Sequence, residues 1–319
     1  MTEHIPVNPA PLAPLPPEQA EDDARGGIVL MALAVFILPV MDGIAKYLGA
    51  DYGPIQIGML RFVMQVVFTL PFALWMVGAR ALIPHPFGLQ VLRGMLIGMG
   101  TVFFFAALRF MPIAETLAIF FISPLLVTAI SALLLRERVG IRRWSAVVAG
   151  FVGAMIVIRP GSGIFGMAAI LPMCAAACLA FYLIVTRKLA GRSDPMSTNL
   201  QTGISGAIFL CIVMLAADAL GFAGLGFNPI QPAHWLHFAG LGVIATVGHL
   251  LMILSLSRAP ASTLAPIGYM EMPSAVLVGW IGFGDVPDVW TFAGILVIVG
   301  AGLYVAWREN QLANRAKTQ

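Results

Sequence analysis

The sequence predicts an all-α membrane protein: ten transmembrane helices arranged as two inverted five-helix repeats. Three observations carry that reading: an apolar composition cut into spans, a one-sided distribution of cations, and a pattern that recurs in the second half. Of 319 residues, 60% are hydrophobic and 10% are charged, and the mean hydropathy is +0.93. Soluble domains carry roughly 45–50% apolar and about 25% charged residues, so a cytoplasmic globular class is excluded. A net charge of +3 gives nucleic acid no reason to bind.

The first 25 residues, MTEHIPVNPAPLAPLPPEQAEDDAR, hold six prolines and five acidic residues. They lack the basic and apolar regions of a signal peptide and cannot bury enough apolar surface to order themselves. Residues 1–26 are therefore expected to be a disordered tail that stays on the cytoplasmic side. A helix needs about 20 apolar residues to cross the hydrocarbon. Ten such runs follow, at 27–48, 54–78, 89–109, 113–135, 141–158, 163–186, 198–220, 234–256, 261–283 and 288–307, leaving 308–319 as a second tail.

Taken in order, each span carries its own punctuation and polar exceptions. In the first, Asp42 and Lys46 stand four residues apart on one face in the favourable acid-first order. Arg61 lies at similar depth on the second. Either the three form an ion-paired cluster joining these spans, or they are an outer gate or anion-binding wall. Gly94 and Gly98 in the third form a GxxxG pattern for close packing. Pro112 opens the fourth, Glu115 supplies a charge near its start, and Pro124 sits in mid-membrane. Trp144 opens the fifth and Arg159-Pro160-Gly161 ends it.

The sixth span carries Tyr182 with Cys174 and Cys178, and the seventh carries Cys211; all three cysteines read as packing residues. The eighth holds His249 deep inside, and His234 and His237 flank Trp235 at its outer start. No third ligand accompanies that pair, so an interfacial belt explains it better than a metal site. Gly240 and Gly248 mark its packing face. Pro260 opens the ninth, which carries Tyr269, Glu271 and Pro273 near its middle and Trp280 further on. Trp290 opens the tenth.

The cations give the orientation. Fourteen of the eighteen Lys and Arg residues, among them Arg80, Arg93, Arg136, Arg142, Arg187, Arg258 and Arg308, fall on the side of the two termini, against Arg109 and Arg159 opposite. Both termini are then cytoplasmic. Residues 104–144 also parallel 251–290: Arg109, Pro112, Pro124, Glu137 and Trp144 answer Arg258, Pro260, Pro273, Asp285 and Trp290 at offsets of 146 to 149. Five spans per repeat is odd, so the second copy enters upside down. Such inverted repeats are a carrier's device, with the site at mid-membrane between them.

The run LRGMLIGMGTVFFFAALRFMPIAETLAIFFISPLLVTAISALLLRERVGIRRWSAVVAGFVGAMIVIRPG resembles an EamA domain of the drug/metabolite transporter superfamily. The second half is similar in outline, so 27–160 and 161–307 read as two EamA repeats. The resemblance implies a central substrate cavity, alternating access and a bacterial-type inner membrane. It also implies small-molecule substrates such as amino acids, riboflavin, S-adenosylmethionine or drugs. A homodimer is one arrangement open to it. Where the family often ends its fourth and ninth spans in Leu-Gly-Glu, this chain has Leu135-Arg136-Glu137 and Phe283-Gly284-Asp285.

An ionisable group at mid-membrane is costly and marks function by default, which makes Glu271 the first candidate for substrate recognition or proton coupling. Asp42, Arg61, His249 and Tyr269 support it; Lys46, Pro124 and Pro273 are gating or structural candidates. Among aromatics, Phe103, Phe104, Phe105, Phe120, Phe121 and Trp280 are cavity candidates beside Tyr182 and Tyr269. Gly282-Phe283-Gly284-Asp285 spells the GxGD of intramembrane aspartyl proteases, an alternative that lacks a second facing aspartate. A membrane scaffold or receptor without transport is the other alternative. No HExxH, GxSxG or P-loop occurs, so neither enzyme activity, metal nor cofactor is expected. The expected function is secondary transport of a small metabolite, proton-coupled or by exchange.

Overall fold

The computed structural model describes residues 17–83, 85–134, 141–159, 165–189, 194–222, 224–259, 264 and 267–317. Most of the acidic tail and Arg136, Glu137, Pro160 and Pro260 lie outside the described residues. Among the described residues the chain is all-helical, without a strand. In order the helices are α1 (Pro17–Leu48), α2 (Pro54–Met76), α3 (Phe87–Ala107), α4 (Ile113–Phe120), α5 (Ser123–Leu134) and α6 (Ile141–Ile158). There follow α7 (Ile170–Leu189), α8 (Pro195–Ala219), α9 (Trp235–Arg258), α10 (Glu271–Phe283) and α11 (Val289–Lys317). Helix α1 thus begins ten residues ahead of the first apolar run. By length and composition seven segments can cross a membrane, one of them (113–130) formed by α4 and α5 together, and three apolar stretches, 144–158, 271–283 and 289–304, are shorter.

The fourth expected span is not one helix. It breaks at Phe121–Ile122 between α4 and α5. Pro124 has no N–H to give the Phe120 carbonyl, and the chain tightens to three-residue bonds there: Ile122 N–H donates to Ile119 O at 3.1 Å and Leu125 N–H to Ile122 O at 3.0 Å. The ninth does the same at Tyr269–Met270, where Pro273 has no N–H to give the Tyr269 carbonyl. Met270 N–H donates to Ile267 O at 2.9 Å and Met272 N–H to Tyr269 O at 3.1 Å. Both prolines face outward, so they shape the backbone and line no interior site. Pro39 and Pro71 sit inside α1 and α2 without interrupting them.

Packing is between distant parts of the chain. Helix α1 lies on α9, α3 on α7, α2 on α8 and α9, α3 on α8, and α6 on α11. Helix α10 packs on α1 and on α4, while α4 and α5 pack on α7. Glycines set the tightest crossings. A Cβ on Gly153 would stand 3.0 Å from Gly294 O, and one on Gly294 2.7 Å from Gly153 O, so α6 and α11 meet backbone to backbone. The GxxxG of α3 serves α8: a Cβ on Gly94 would meet Ser205 Cβ and lie 2.9 Å from Gly206 N. Gly94→Leu should therefore separate these helices, at a cost of about 1–3 kcal/mol or more. A melting curve in detergent, followed by size exclusion, checks it; an unchanged midpoint would contradict the crossing. Cys178 packs on Gly100 in the same way.

All six tryptophans are at least 38% exposed. Four of them (Trp75, Trp144, Trp235 and Trp290) lie within the first or last turns of their helices, where an interfacial belt is expected. Trp280, a cavity candidate from the sequence, is 60% exposed and faces away from the interior.

Candidate functional site

The two breaks face each other. The rings of Phe121 and Tyr269 lie with centroids 5.4 Å apart and planes tilted by 51°. Phe120 meets Phe104 edge-on at 5.1 Å. Tyr269 reaches across to α11, where Gly302 makes room: any Cβ there would collide with the Tyr269 hydroxyl. Glu271 opens α10 directly after this break and is half-buried. At about 1.5 Å per residue, it lies about 18 Å from the far end of its helix.

Asp42 and Arg61 are 5% and 4% exposed. They flank the tight turn between α1 and α2 at matching depth, roughly 10 Å in from that end. Asp42 interacts electrostatically with both Arg61 and Glu271, and Arg61 with Tyr182 and His249. His249 Nδ1 donates to Ala245 O at 2.6 Å, which fixes the ring and leaves Nε2 as an acceptor. The structure therefore gathers Asp42, Arg61, Glu271 and His249 from four helices into one charged interior patch.

Lys46 does not join them. Its Nζ donates to Asp285 Oδ2 at 2.5 Å and lies 4.8 Å from the centre of the Phe283 ring. Asp285 is placed by the end of α10: Gly284 turns left-handed at φ 71°, and Asp285 N–H donates to Gly279 O at 3.1 Å. The GxGD sequence is thus a helix stop and an ion pair. At the same end Arg159 pairs with Asp288 at 2.5 Å, and Glu115, buried in the first turn of α4, faces Asp285 and Asp288. Tyr52 accepts from Gln231 N–H at 3.0 Å and lies 3.0 Å from His234 Nδ1, while Tyr47 stacks on His237 at 5.0 Å. Among the described residues no three His, Cys, Asp or Glu side chains group to hold a metal.

Asp288 stands outside its helix, 47% exposed. Thr291 N–H, 2.8 Å from Asp288 Oδ1, and then Arg159 hold its carboxyl below the ordinary range. A lowered value stabilises the fold above the ordinary carboxyl pKa of about 4, and that support fades as pH falls through the lowered value. Asp288→Asn should therefore flatten the acid limb of a melting-temperature profile. An identical limb would remove this cap's role.

The sequence model of the EamA-like transporter family matches residues 25–159 and 166–307. The chain belongs to that family. A riboflavin transporter of Vibrio cholerae is 27% identical over 91% of this chain and 96% of its own length. A second riboflavin transporter, from Brucella anthropi, is 29% identical over 82% of this chain and 90% of its own. An S-adenosylmethionine uptake transporter of Rickettsia conorii is 25% identical over 91% and 95%. One solved crystal structure superposes with a TM-score of 0.59 at 17% identity, covering 92% of this chain and 99% of that one. At that identity the likeness is one of fold.

One interior residue of this EamA-like chain escapes a sequence reading. Arg93 counts among the cytoplasmic-face cations by position, yet it is 8% exposed. Its Nε donates to Thr186 Oγ1 at 2.9 Å, and Nη1 donates to Thr198 O at 3.0 Å and to Thr202 Oγ1 at 2.5 Å. Nη2 donates to the Tyr182 hydroxyl, and the guanidinium lies 4.6 Å over the Tyr182 ring. Tyr182 is thereby a partner of Arg93 and ties α7 to α3. The only sequence signal was an arginine five residues into an apolar run, next to the Gly94 packing position.

Proposed function

We propose that this protein is a secondary carrier of a small metabolite, working by alternating access between two inverted repeats, residues 27–160 and 161–307. In this reading the chain crosses a bacterial-type inner membrane ten times, with both termini cytoplasmic. The observation that carries it is the meeting of two interrupted helices beside a buried charged patch, the usual construction of a carrier's binding site. The packing scheme supports the repeats. Number the ten expected spans and exchange each with the one five later: α1 on α9 becomes α7 on α3, α2 on α9 becomes α8 on α3, and α1 on α10 becomes α7 on α4–α5. The pairs α2–α8, α6–α11 and α4–α10 map onto themselves.

Two of the relatives above are named for riboflavin and one for S-adenosylmethionine. Both compounds carry a flat heteroaromatic ring, and the Phe121–Tyr269 pair, with centroids 5.4 Å apart, offers aromatic surface for it. Riboflavin is the first substrate to test and S-adenosylmethionine the second. Glu271 is the proton-coupling carboxyl, and the ion pairs Lys46–Asp285 and Arg159–Asp288 hold one end of the site closed. The protein performs no covalent chemistry.

The test is flux. Purified protein in proteoliposomes should take up riboflavin or S-adenosylmethionine saturably under an imposed pH gradient. No saturable flux of any compound in a metabolite library, in either direction, would overturn the carrier reading. Lys46→Glu should leave Asp285 facing a like charge and raise the leak of substrate through unenergised vesicles. Paired Lys46→Glu with Asp285→Lys should restore the seal, and no recovery would count against the gate.

A further inference from the structure

We propose that Arg61 is the substrate's recognition residue: it donates paired hydrogen bonds to a planar pair of acceptors on the ligand, with Asp42 and Glu271 taking the ligand's donors. The proposal rests on the carrier reading and names the chemistry that the same site selects. A guanidinium carries five N–H donors in a fixed fork and stays charged in proteins. Arg61 is 4% exposed. Its one hydrogen bond among the described residues runs from Nε to Met41 Sδ at 3.4 Å, and a thioether is a weak acceptor. Its Nη1 is sealed from solvent and has no partner among the described residues. The guanidinium lies 4.5 Å over the Phe62 ring, which holds the fork in one plane while leaving its hydrogen-bonding edge unused.

Arg93 shows what a structural arginine looks like in this fold, with every nitrogen of its guanidinium donating to an oxygen. Arg61 is the contrast. About nine in ten buried polar groups in folded proteins are paired. Arg61 Nη1 is one of a few exceptions among the described residues, and as the donor of a permanently charged group it asks for an acceptor from outside the chain. Asp42 interacts with Arg61 electrostatically without closing a described ion pair, and Glu271 lies beyond Asp42. The patch thus presents a donor fork next to two acceptors. Its complement carries acceptors and donors side by side in one plane or one head group. Two sources share that chemistry: the imide end of a flavin, where N1 and the C2 carbonyl are the adjacent acceptors and N3–H the donor, and the amino-carboxylate head of S-adenosylmethionine.

Binding to purified carrier in detergent separates the roles. Riboflavin is followed by quenching of its own fluorescence, and S-adenosylmethionine and its decarboxylated form by calorimetry. Wild-type protein is expected to bind riboflavin, or to bind S-adenosylmethionine better than the decarboxylated form; the first outcome assigns the imide edge and the second the carboxylate. Arg61→Lys keeps the charge but not the fork and should weaken the bound probe by about tenfold or more. Arg61→Gln with Asp42→Asn removes the internal charge pair together and should not restore it.

Wild-type affinity in Arg61→Lys, or recovery in the double variant, makes Arg61 a counter-ion and overturns the proposal. Failure of wild-type protein to bind either probe also overturns it, while the flux screen separately decides whether the protein is a carrier. Melting curves of each variant distinguish lost binding from lost folding. A variant that does not fold is replaced by Arg61→His, which keeps a planar donor and should bind better than Arg61→Leu, which has none; equal loss in both counts against a donor role.

Discussion

Glu271→Gln should abolish pH-driven accumulation of substrate in proteoliposomes, while insertion and the melting curve should stay close to wild type. The reason is chemical and geometric. The carboxyl opens α10 at a break in the chain, half-buried, within electrostatic reach of Asp42 and about 18 Å from the helix end. On the carrier reading proposed above, a carboxyl in that place would exchange a proton with whichever side it faces; an amide of the same shape could not. Ionisable groups inside a membrane are kept where they carry ions, protons or substrate. Exchange of labelled for unlabelled substrate without a pH gradient should persist in the variant, since exchange requires the cavity and not the proton. Unchanged uptake with unchanged pH dependence would remove Glu271 from the coupling step.

Arg93→Met should have the larger effect on stability. Four donor contacts from one guanidinium bind α3 to α7 and α8. Hydrogen bonds made by charged groups contribute about 1.5–3 kcal/mol each, and breaking a buried charged network typically costs about 3–5 kcal/mol. Methionine fills much of the volume and leaves the Tyr182 and Thr202 hydroxyls without their donor. The midpoint of thermal or denaturant unfolding in detergent should fall by an amount in that range. The loss should appear without ligand, which separates it from any effect at Arg61. A variant as stable as wild type would show that the network is dispensable for stability.

The comparison of these two arginines shows how far a sequence reaches. Both sit a few residues inside an apolar run, and local hydropathy treats them alike. Only the rotation of α2 and α3 about their axes decides that one donates to four groups on neighbouring helices while the other keeps an idle nitrogen. Lys46 makes the same point. Its spacing from Asp42 favours an ion pair within α1, yet it pairs with Asp285, 239 residues away in sequence. Pro124 and Pro273 accompany breaks, whereas Pro39 and Pro71 do not. A missing N–H only permits a break; the neighbouring helices decide whether the chain takes it.

What the sequence determined by itself is the membrane class, the positions of the apolar runs, the sorting of the cations and the resemblance between halves. Each is a sum or a recurrence along the chain, and solvation by lipid reads such sums directly, because about 20 residues decide whether a segment can cross. What the tertiary structure decided is which polar exceptions meet. Asp42, Arg61, His249 and Glu271 come from four helices, and their proximity depends on crossings set by glycines such as Gly94, Gly153 and Gly294. Packing is a property of pairs of surfaces far apart in sequence, so no local pattern in the chain states it.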